Sequence, residues 1–215
     1  MTRTQKNSAK KHAPARRGRP RSKEKARRIL NAAVERFTRS GFEATSVDDI
    51  AADAGVSKQT VYSHFGSKEE LFGVAISTKC KTSGIDPDDI DPDVPPESML
   101  PELARRFTAL ITSEEAVAVN AICSVSRDSH PELGRLYYER GPVATVEAVA
   151  AYLAAQDAAG RLRIDDPTDA AWQFLCMLKA ETQMRSQFHL ELPGEAEQRR
   201  YELACVAMFL RAYAR

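Results

Sequence analysis

The chain has 215 residues, 43% of them hydrophobic, and a formal net charge of +1 at neutral pH. This length and composition are typical of a globular protein with a sizeable core, which excludes a chain disordered throughout. No apolar run approaches the ~18 residues that a membrane span requires, and no signal-type apolar segment follows the basic N-terminus, so we expect a cytoplasmic protein with no membrane partner. The four cysteines are widely scattered, which predicts reduced thiols and neither a metal cluster nor a disulfide framework.

The first segment, Met1–Arg21, is rich in Lys, Arg and Pro and is predicted to be a disordered basic arm. Residues 1–28 carry twelve Lys and Arg against the single acid Glu24, a local charge of +11 that leaves −10 for the remainder. This segregation indicates that only part of the chain approaches phosphate. Arg17 and Arg19 stand in an Arg-Gly-Arg-Pro sequence that suits a narrow A·T-rich minor groove, and the alternative is a nonspecific solvated tail.

Three helices are predicted after the arm. The first begins near Ser22, carries apolar residues at spacings of three and four, and ends at Gly41. Ser46 and Ser57 are N-cap candidates for the next two helices. Between them, Gly55 can adopt the left-handed conformation that a tight turn needs, so the pattern predicts a helix-turn-helix.

The third of these helices, Lys58–Phe65, presents hydrogen-bonding side chains on its outer face. Lys58, Gln59 and Thr60 occupy its first turn, from which a recognition helix reaches base edges in the DNA major groove. A glutamine amide can pair with adenine and a lysine with guanine, so we expect these three residues to contact bases. Ser63 shares the outer face with Gln59 and is a further DNA-binding candidate.

The run TSVDDIAADAGVSKQTVYSHFGSKEELF, residues 45–72, resembles the DNA-binding domain of the TetR family of bacterial transcriptional regulators nearly position for position. The resemblance covers roughly Ser22–Lys81. It implies an all-α protein with about nine to ten helices, in which an N-terminal three-helix helix-turn-helix domain precedes a C-terminal helical bundle for ligand binding and dimerisation.

The resemblance also implies that Ser46, Tyr62 and His64 hold the sugar-phosphate backbone of double-stranded DNA. For His64 the alternative is simple packing beside Phe65. Lys68 opens the following helix, where its ammonium group and the free backbone N–H groups both favour phosphate. These residues are expected to position the domain on DNA and not to specify the sequence.

Ser67 and Glu70 predict a capping box for a helix that runs to about Lys81. The following Thr82–Ser98 segment contains five Asp and four Pro residues and is predicted to be a solvated acidic linker. Its prolines and the absence of a central glycine argue against a calcium loop. The predicted organisation is therefore an arm (1–21), a DNA-binding domain (22–81), a linker (82–98) and a C-terminal domain (99–215).

The C-terminal domain reads as helical throughout. The periodicity and the prolines that open several segments predict the helices Pro101–Ile111, Glu114–Ser126, Pro131–Arg140, Pro142–Ala159, Pro167–His189 and Glu195–Ala214. Gly141 and Pro142 should break or kink what would otherwise be one long helix. The last two helices carry more apolar surface than a terminal hairpin needs, so part of it is predicted to be a homodimer face, which in the resembled family is a four-helix interface matching a near-palindromic operator.

A cavity for a small apolar or aromatic molecule is expected among the inner helices. Aromatic and sulfur-bearing side chains there are suited to such a ligand, although plain core packing is the alternative. The candidate ligand-binding residues are Phe107, Cys123, Tyr137, Trp172, Cys176 and Met177.

Three classes of function follow from these features. The leading one is a sequence-specific DNA-binding regulator, most often a repressor in the resembled family, whose operator affinity changes when an effector binds. The second is an architectural DNA-binding protein without an effector. The third is an enzyme, which is disfavoured because the sequence lacks any nucleophile-elbow, phosphate-loop, metalloprotease or paired-acid signature, and we expect no metal or other cofactor. A redox sensor using Cys123 or Cys176 is a variant of the first class.

Overall fold

A computed structural model describes residues 20–214 of the chain, and these residues form an all-helical fold. The predicted arm, including Arg17 and Arg19, lies almost entirely outside the described residues. Within them, the one β-type contact is an isolated antiparallel bridge between Leu162 and Ala214. The ten α-helices are α1 (Pro20–Ser40), α2 (Val47–Asp53), α3 (Lys58–Phe65), α4 (Lys68–Thr82), α5 (Pro96–Ile111), α6 (Glu114–Val125), α7 (Pro131–Tyr138), α8 (Ala144–Ala158), α9 (Pro167–Gln187) and α10 (Glu195–Tyr213).

The predicted caps and turns of the helix-turn-helix are present. The hydroxyls of Ser46, Ser57 and Ser67 accept hydrogen bonds from backbone N–H groups at the starts of α2, α3 and α4. Gly55, in the turn between α2 and α3, has φ +61°, a conformation that strains a residue with a Cβ atom. Gly41, with φ +76°, ends α1 as predicted.

Two hydrophobic cores organise the chain. The first contains the buried faces of α1 to α4, and it also takes in Ile122 of α6 and Leu133 of α7. The second is built from α5, α8, α9 and α10 around Leu103, Leu153 and Phe174. Because α6 and α7 pack on the first core, the helix-turn-helix is joined to the rest of the chain through shared apolar packing.

The predicted solvated linker is instead docked on the second core. Ile85 and Ile90 are buried in that core, on either side of a 3₁₀ turn over Pro87–Asp89. The Tyr152 hydroxyl donates to the Val94 carbonyl at 2.9 Å, and the Gln156 amide donates to the Pro92 carbonyl at 2.8 Å. The prediction of a solvated linker rested on the acid and proline content of the segment. Burial of its two isoleucines is enough to dock it on the second core.

Helix α5 begins at Pro96, five residues before the predicted start at Pro101. A proline inside a helix costs ~3 kcal/mol. Burial of Met99 and Leu100 offsets this cost, because each buried side chain of this size contributes about 1.5–3 kcal/mol. The Pro101 carbonyl also accepts a hydrogen bond from Arg199 Nη1 at 3.0 Å.

The interruption predicted at Gly141 and Pro142 takes the form of a π-helical turn, Glu139–Val143, between α7 and α8. The proline lacks the N–H group that a regular α-helix would use there, and the wider turn accommodates it without the chain leaving the helical path. Over residues 20–214, no single helix is long and apolar enough to cross a membrane, although α5 and α6 pass that test together as a pair bent by 57°.

Candidate DNA interface and effector cavity

Helix α3 is held on the first core by one side and exposes the other. Val61 is buried and Phe65 is half-buried, which fixes the rotation of this two-turn helix. Lys58, Gln59 and Ser63 are consequently exposed. The helix therefore projects polar side chains outward from a rigid support, the arrangement that a major-groove reading helix requires.

In the first turn of α3, two side chains make hydrogen bonds within the chain and one does not. Lys58 Nζ donates to Asp48 Oδ2 of α2 at 2.8 Å, and this ion pair raises the pKa of the lysine. The Thr60 hydroxyl lies 2.9 Å from the Ser57 hydroxyl, within the cap of the helix. Gln59 makes no side-chain hydrogen bond within residues 20–214, so its amide is available to a base edge.

The residues expected to hold the DNA backbone differ in their exposure and in whether their side chains already make hydrogen bonds within the chain. Tyr62 is 43% exposed. Ser46 is exposed, but its hydroxyl donates to Asp49 Oδ2 at 2.6 Å while capping α2. The Ser63 hydroxyl donates to the Thr60 carbonyl at 2.9 Å. His64 is half-buried with its ring 6.1 Å from that of Phe65, as the packing alternative expects.

Lys68 is turned toward the protein. Its ammonium donates to the Phe42 and Thr45 carbonyls at 3.0 Å each and lies 4.1 Å from the centre of the Phe42 ring. Two of its three N–H groups are thereby used to close the turn between α1 and α2. Any phosphate at the start of α4 would meet the remaining N–H and the backbone N–H groups of the helix.

Two charged contacts link the reading head, here α1 to α4 with the loops between them, to the start of α7 and to the π turn that follows it. His130, which precedes α7, places Nε2 at 2.8 Å from Glu43 and Nδ1 at 2.9 Å from Glu132, and these carboxylates raise its pKa. Arg140 of the π turn binds Glu70 of α4 at 2.5 Å. The sequence did not reveal either contact, because the partners are far apart along the chain.

A cavity of about 120 Å³ lies between the reading head and the bundle. It is roughly ten times what one water molecule needs. Helices α1 and α4 supply part of the wall, including Phe37, Phe72 and Ile76. The remaining wall comes from α5, α6, α9 and the chain from α7 through the π turn to α8, so one cavity touches both the reading head and the bundle.

Four of the six predicted ligand-binding residues line this cavity: Phe107, Tyr137, Trp172 and Cys176. The other two do not. Cys123 packs against the first core, with its thiol 3.6 Å from the Leu133 carbonyl, and Met177 packs against the second core. Burial raises the pKa of the Cys123 thiol to about 11, which keeps it protonated near neutral pH and disfavours it as a redox sensor.

The last two helices and the segment between them carry many exposed apolar side chains. The sequence predicts a dimer face among apolar side chains of the last two helices, but Phe174, Leu178, Val206 and Phe209 of these helices are buried within the chain itself. Seven other large apolar side chains on these helices and on the segment between them are exposed, and we name this set the α9–α10 apolar face: Met184, Phe188, Leu190, Leu192, Tyr201, Leu203 and Met208. In the described part of the chain, this set holds seven of the ten exposed large apolar side chains, so exposed apolar residues are concentrated at the end of the chain.

Two family models match the chain. One is described as bacterial regulatory proteins of the tetR family and matches residues 29–75. The other is described as the C-terminal domain of AefR-like transcriptional repressors and matches residues 98–215. Together they cover the reading head and the bundle.

Individual relatives give the same result. The chain is 41% identical over 68 residues to the HTH-type transcriptional repressor SCO4008 of Streptomyces coelicolor, a match that covers 30% of this chain and only 35% of that repressor. Among solved structures, a TetR-family transcriptional regulator from Mesorhizobium loti has a TM-score of 0.78 and 32% identity, over 91% of this chain and 99% of that one. The flavonoid-responsive regulator FrrA has a TM-score of 0.70 and 32% identity, over 89% and 98%.

Proposed function

The chain belongs to the TetR family of bacterial transcriptional regulators, with an AefR-like C-terminal domain, and we propose that it is a homodimeric repressor released from a near-palindromic operator by a small apolar or aromatic effector. The family is one of DNA-binding regulators and not of enzymes. SCO4008 is a repressor, which supports release from DNA as the direction of the response, and FrrA responds to flavonoids, which supports an aromatic effector.

The observation that carries the proposal is the position of the cavity. Its wall contains residues of α1 and α4, which belong to the DNA-reading head, and residues of α5 and α9, which belong to the bundle. A molecule in this cavity would therefore contact the DNA-reading head directly, without an intervening layer of protein.

The expected coupling is a displacement of α4. Phe72 and Ile76 lie on the cavity wall, and the start of the same helix holds Lys68 and the Arg140–Glu70 contact. An occupant that shifts α4 against α1 would change the separation of the two reading heads in a dimer. Occupation of the cavity would thereby change the affinity for DNA, because α4 would have one position against α1 with the effector and another without it. Such coupling of two sites through two packing arrangements is allosteric.

The α9–α10 apolar face supports the proposed dimer. We expect Phe188→Glu to dissociate the dimer, because Phe188 is 70% exposed, the most exposed side chain of this set, and a carboxylate buried there without a partner is costly. Light scattering after size-exclusion chromatography would measure the mass. Val125→Glu is the matched control, since Val125 is 86% exposed outside the face; equal masses for Phe188→Glu and the wild type would contradict this interface.

The function itself is tested by selecting genomic DNA fragments on the purified protein at physiological salt and sequencing those that bind. Recovery of a near-palindrome supports a dimeric sequence-specific regulator, and its neighbouring genes would indicate the effector. Release of that fragment is then measured against a panel that includes flavonoids. Recovery of A·T-rich DNA without dyad symmetry would favour the architectural alternative instead.

A further inference from the structure

The cavity wall formed by α9 changes from apolar to polar along the helix. Trp172, Leu175 and Cys176 give it an apolar half, and Lys179 and Gln183 continue the same face by steps of three and four residues. Between Cys176 and Gln183 the helix rises ~10 Å, at ~1.5 Å per residue. The cavity is therefore amphipathic, with a polar end that an entirely apolar effector would leave unused.

The charges on the wall are not balanced. Lys79 of α4 donates to Glu115 of α6 at 3.1 Å, so these two side chains satisfy each other. Lys179 is half-buried and makes no hydrogen bond or ion pair within residues 20–214. Gln183, one turn later, is likewise without a side-chain partner there. The lining thus carries one surplus positive charge next to an unpaired amide.

We propose that the effector is an apolar organic acid, whose anionic group binds Lys179 and Gln183 while its aromatic or aliphatic body packs on Phe37, Phe72, Tyr137 and Trp172. This inference rests on the proposed function, since it names the class of effector for the same cavity. An occupant without an acceptor atom would cover the Lys179 ammonium and leave its lost hydrogen bonds to water unreplaced, and a neutral acceptor would replace them without pairing the charge. A cationic occupant would meet Lys179 directly and find Glu115 already paired.

Lys179 and Gln183 together should select an anion by hydrogen bonding as well as by charge. An ammonium and a side-chain amide one helical turn apart can both donate to the two oxygens of a carboxylate. Bonds to charged groups of this kind change binding by about tenfold or more.

The test uses matched acid and amide probes, 2-naphthoate with 2-naphthamide and decanoate with decanamide. Binding to the full chain without DNA is measured by calorimetry. We expect the acid of at least one pair to bind about tenfold more tightly than its amide, and Lys179→Met to abolish that preference. Lys179→Arg should retain it, which separates loss of charge from loss of fold. Lys81→Met is the control, because Lys81 pairs with Asp86 and is absent from the cavity lining.

Equal binding of acid and amide in every pair, no binding of any acid, or a preference that survives in Lys179→Met would overturn the inference. Operator binding is measured separately on the selected DNA fragment. If the amides release the operator as well as the acids do, the proposed function stands and the effector class is wrong. If the protein selects no operator, the proposed function fails, whatever the probes show.

Discussion

Removal of the acid Asp48 from the reading head should strengthen DNA binding. Asp48 holds Lys58, in the first turn of α3, through an ion pair of 2.8 Å, and the two side chains are 50% (Lys58) and 67% (Asp48) exposed. A Lys58 side chain that moves away from Asp48 to reach DNA loses this pair. Asp48→Asn removes that loss and also removes a negative charge from a surface that faces phosphate.

The size of the effect follows from the exposure of the pair. Exposed ion pairs shift an equilibrium by no more than about fivefold, so Asp48→Asn should tighten binding by about two- to fivefold per reading head. If the freed Lys58 reaches a phosphate, the slope of log affinity against log salt should steepen by ~0.9 per reading head. If it reads a guanine instead, the slope stays unchanged and the gain concentrates at one base pair.

Fluorescence anisotropy of the selected operator, titrated at several salt concentrations, measures both quantities. Asp165→Asn, far along the chain in the α8–α9 loop, controls for the change in total charge. In the double variant with Lys58→Met, the gain from Asp48→Asn should shrink to the part that comes from removing the negative charge, which Asp165→Asn does not reproduce because it lies far from the reading head. Weaker binding by Asp48→Asn would refute the reasoning and indicate that the carboxylate itself contacts DNA.

Four further changes test other parts of the chain. Gln59→Ala should cost ~1–3 kcal/mol of discrimination at one base pair, measured on operators substituted one position at a time; a uniform loss across all positions would contradict base reading. Lys68→Met should lower the free energy of unfolding by roughly 1–3 kcal/mol, seen in urea denaturation, because two carbonyls lose their donor. His130→Gln should destabilise the protein more at pH 5.5 than at pH 8.5, because Glu132 and Glu43 raise the pKa of His130. This stabilisation is fully present below the ordinary pKa of histidine and is lost as the pH rises through the pKa of the folded state, so a larger effect at high pH would exclude these two ion pairs as the cause. Deletion of residues 1–19 should weaken operator binding mainly at low salt, and an unchanged salt slope would mean that the arm does not contact DNA.

Local signals predicted the helix-turn-helix well. A serine that caps a helix, or a glycine at positive φ, depends on the conformation of a few neighbouring residues, so Ser46, Ser57 and Gly55 could be placed from the sequence alone. The period of the apolar residues likewise indicated the helices of the bundle. Most of their ends differ by one or two residues, and the large errors, at Pro96 and around Ile85, arose where burial of a few apolar side chains outweighed local composition.

The amino-acid sequence by itself determined the all-helical class and the reading head, because both depend on short-range spacing along the chain, and residues 45–72 carried the resemblance to the family. Only the tertiary structure decided that Lys68 turns inward to Phe42, that Asp48 holds Lys58, and that Lys179 faces a cavity without a partner. The physical reason is that these contacts depend on how helices are rotated and packed against one another. That arrangement is set by the summed burial of two cores, and no single stretch of sequence contains it.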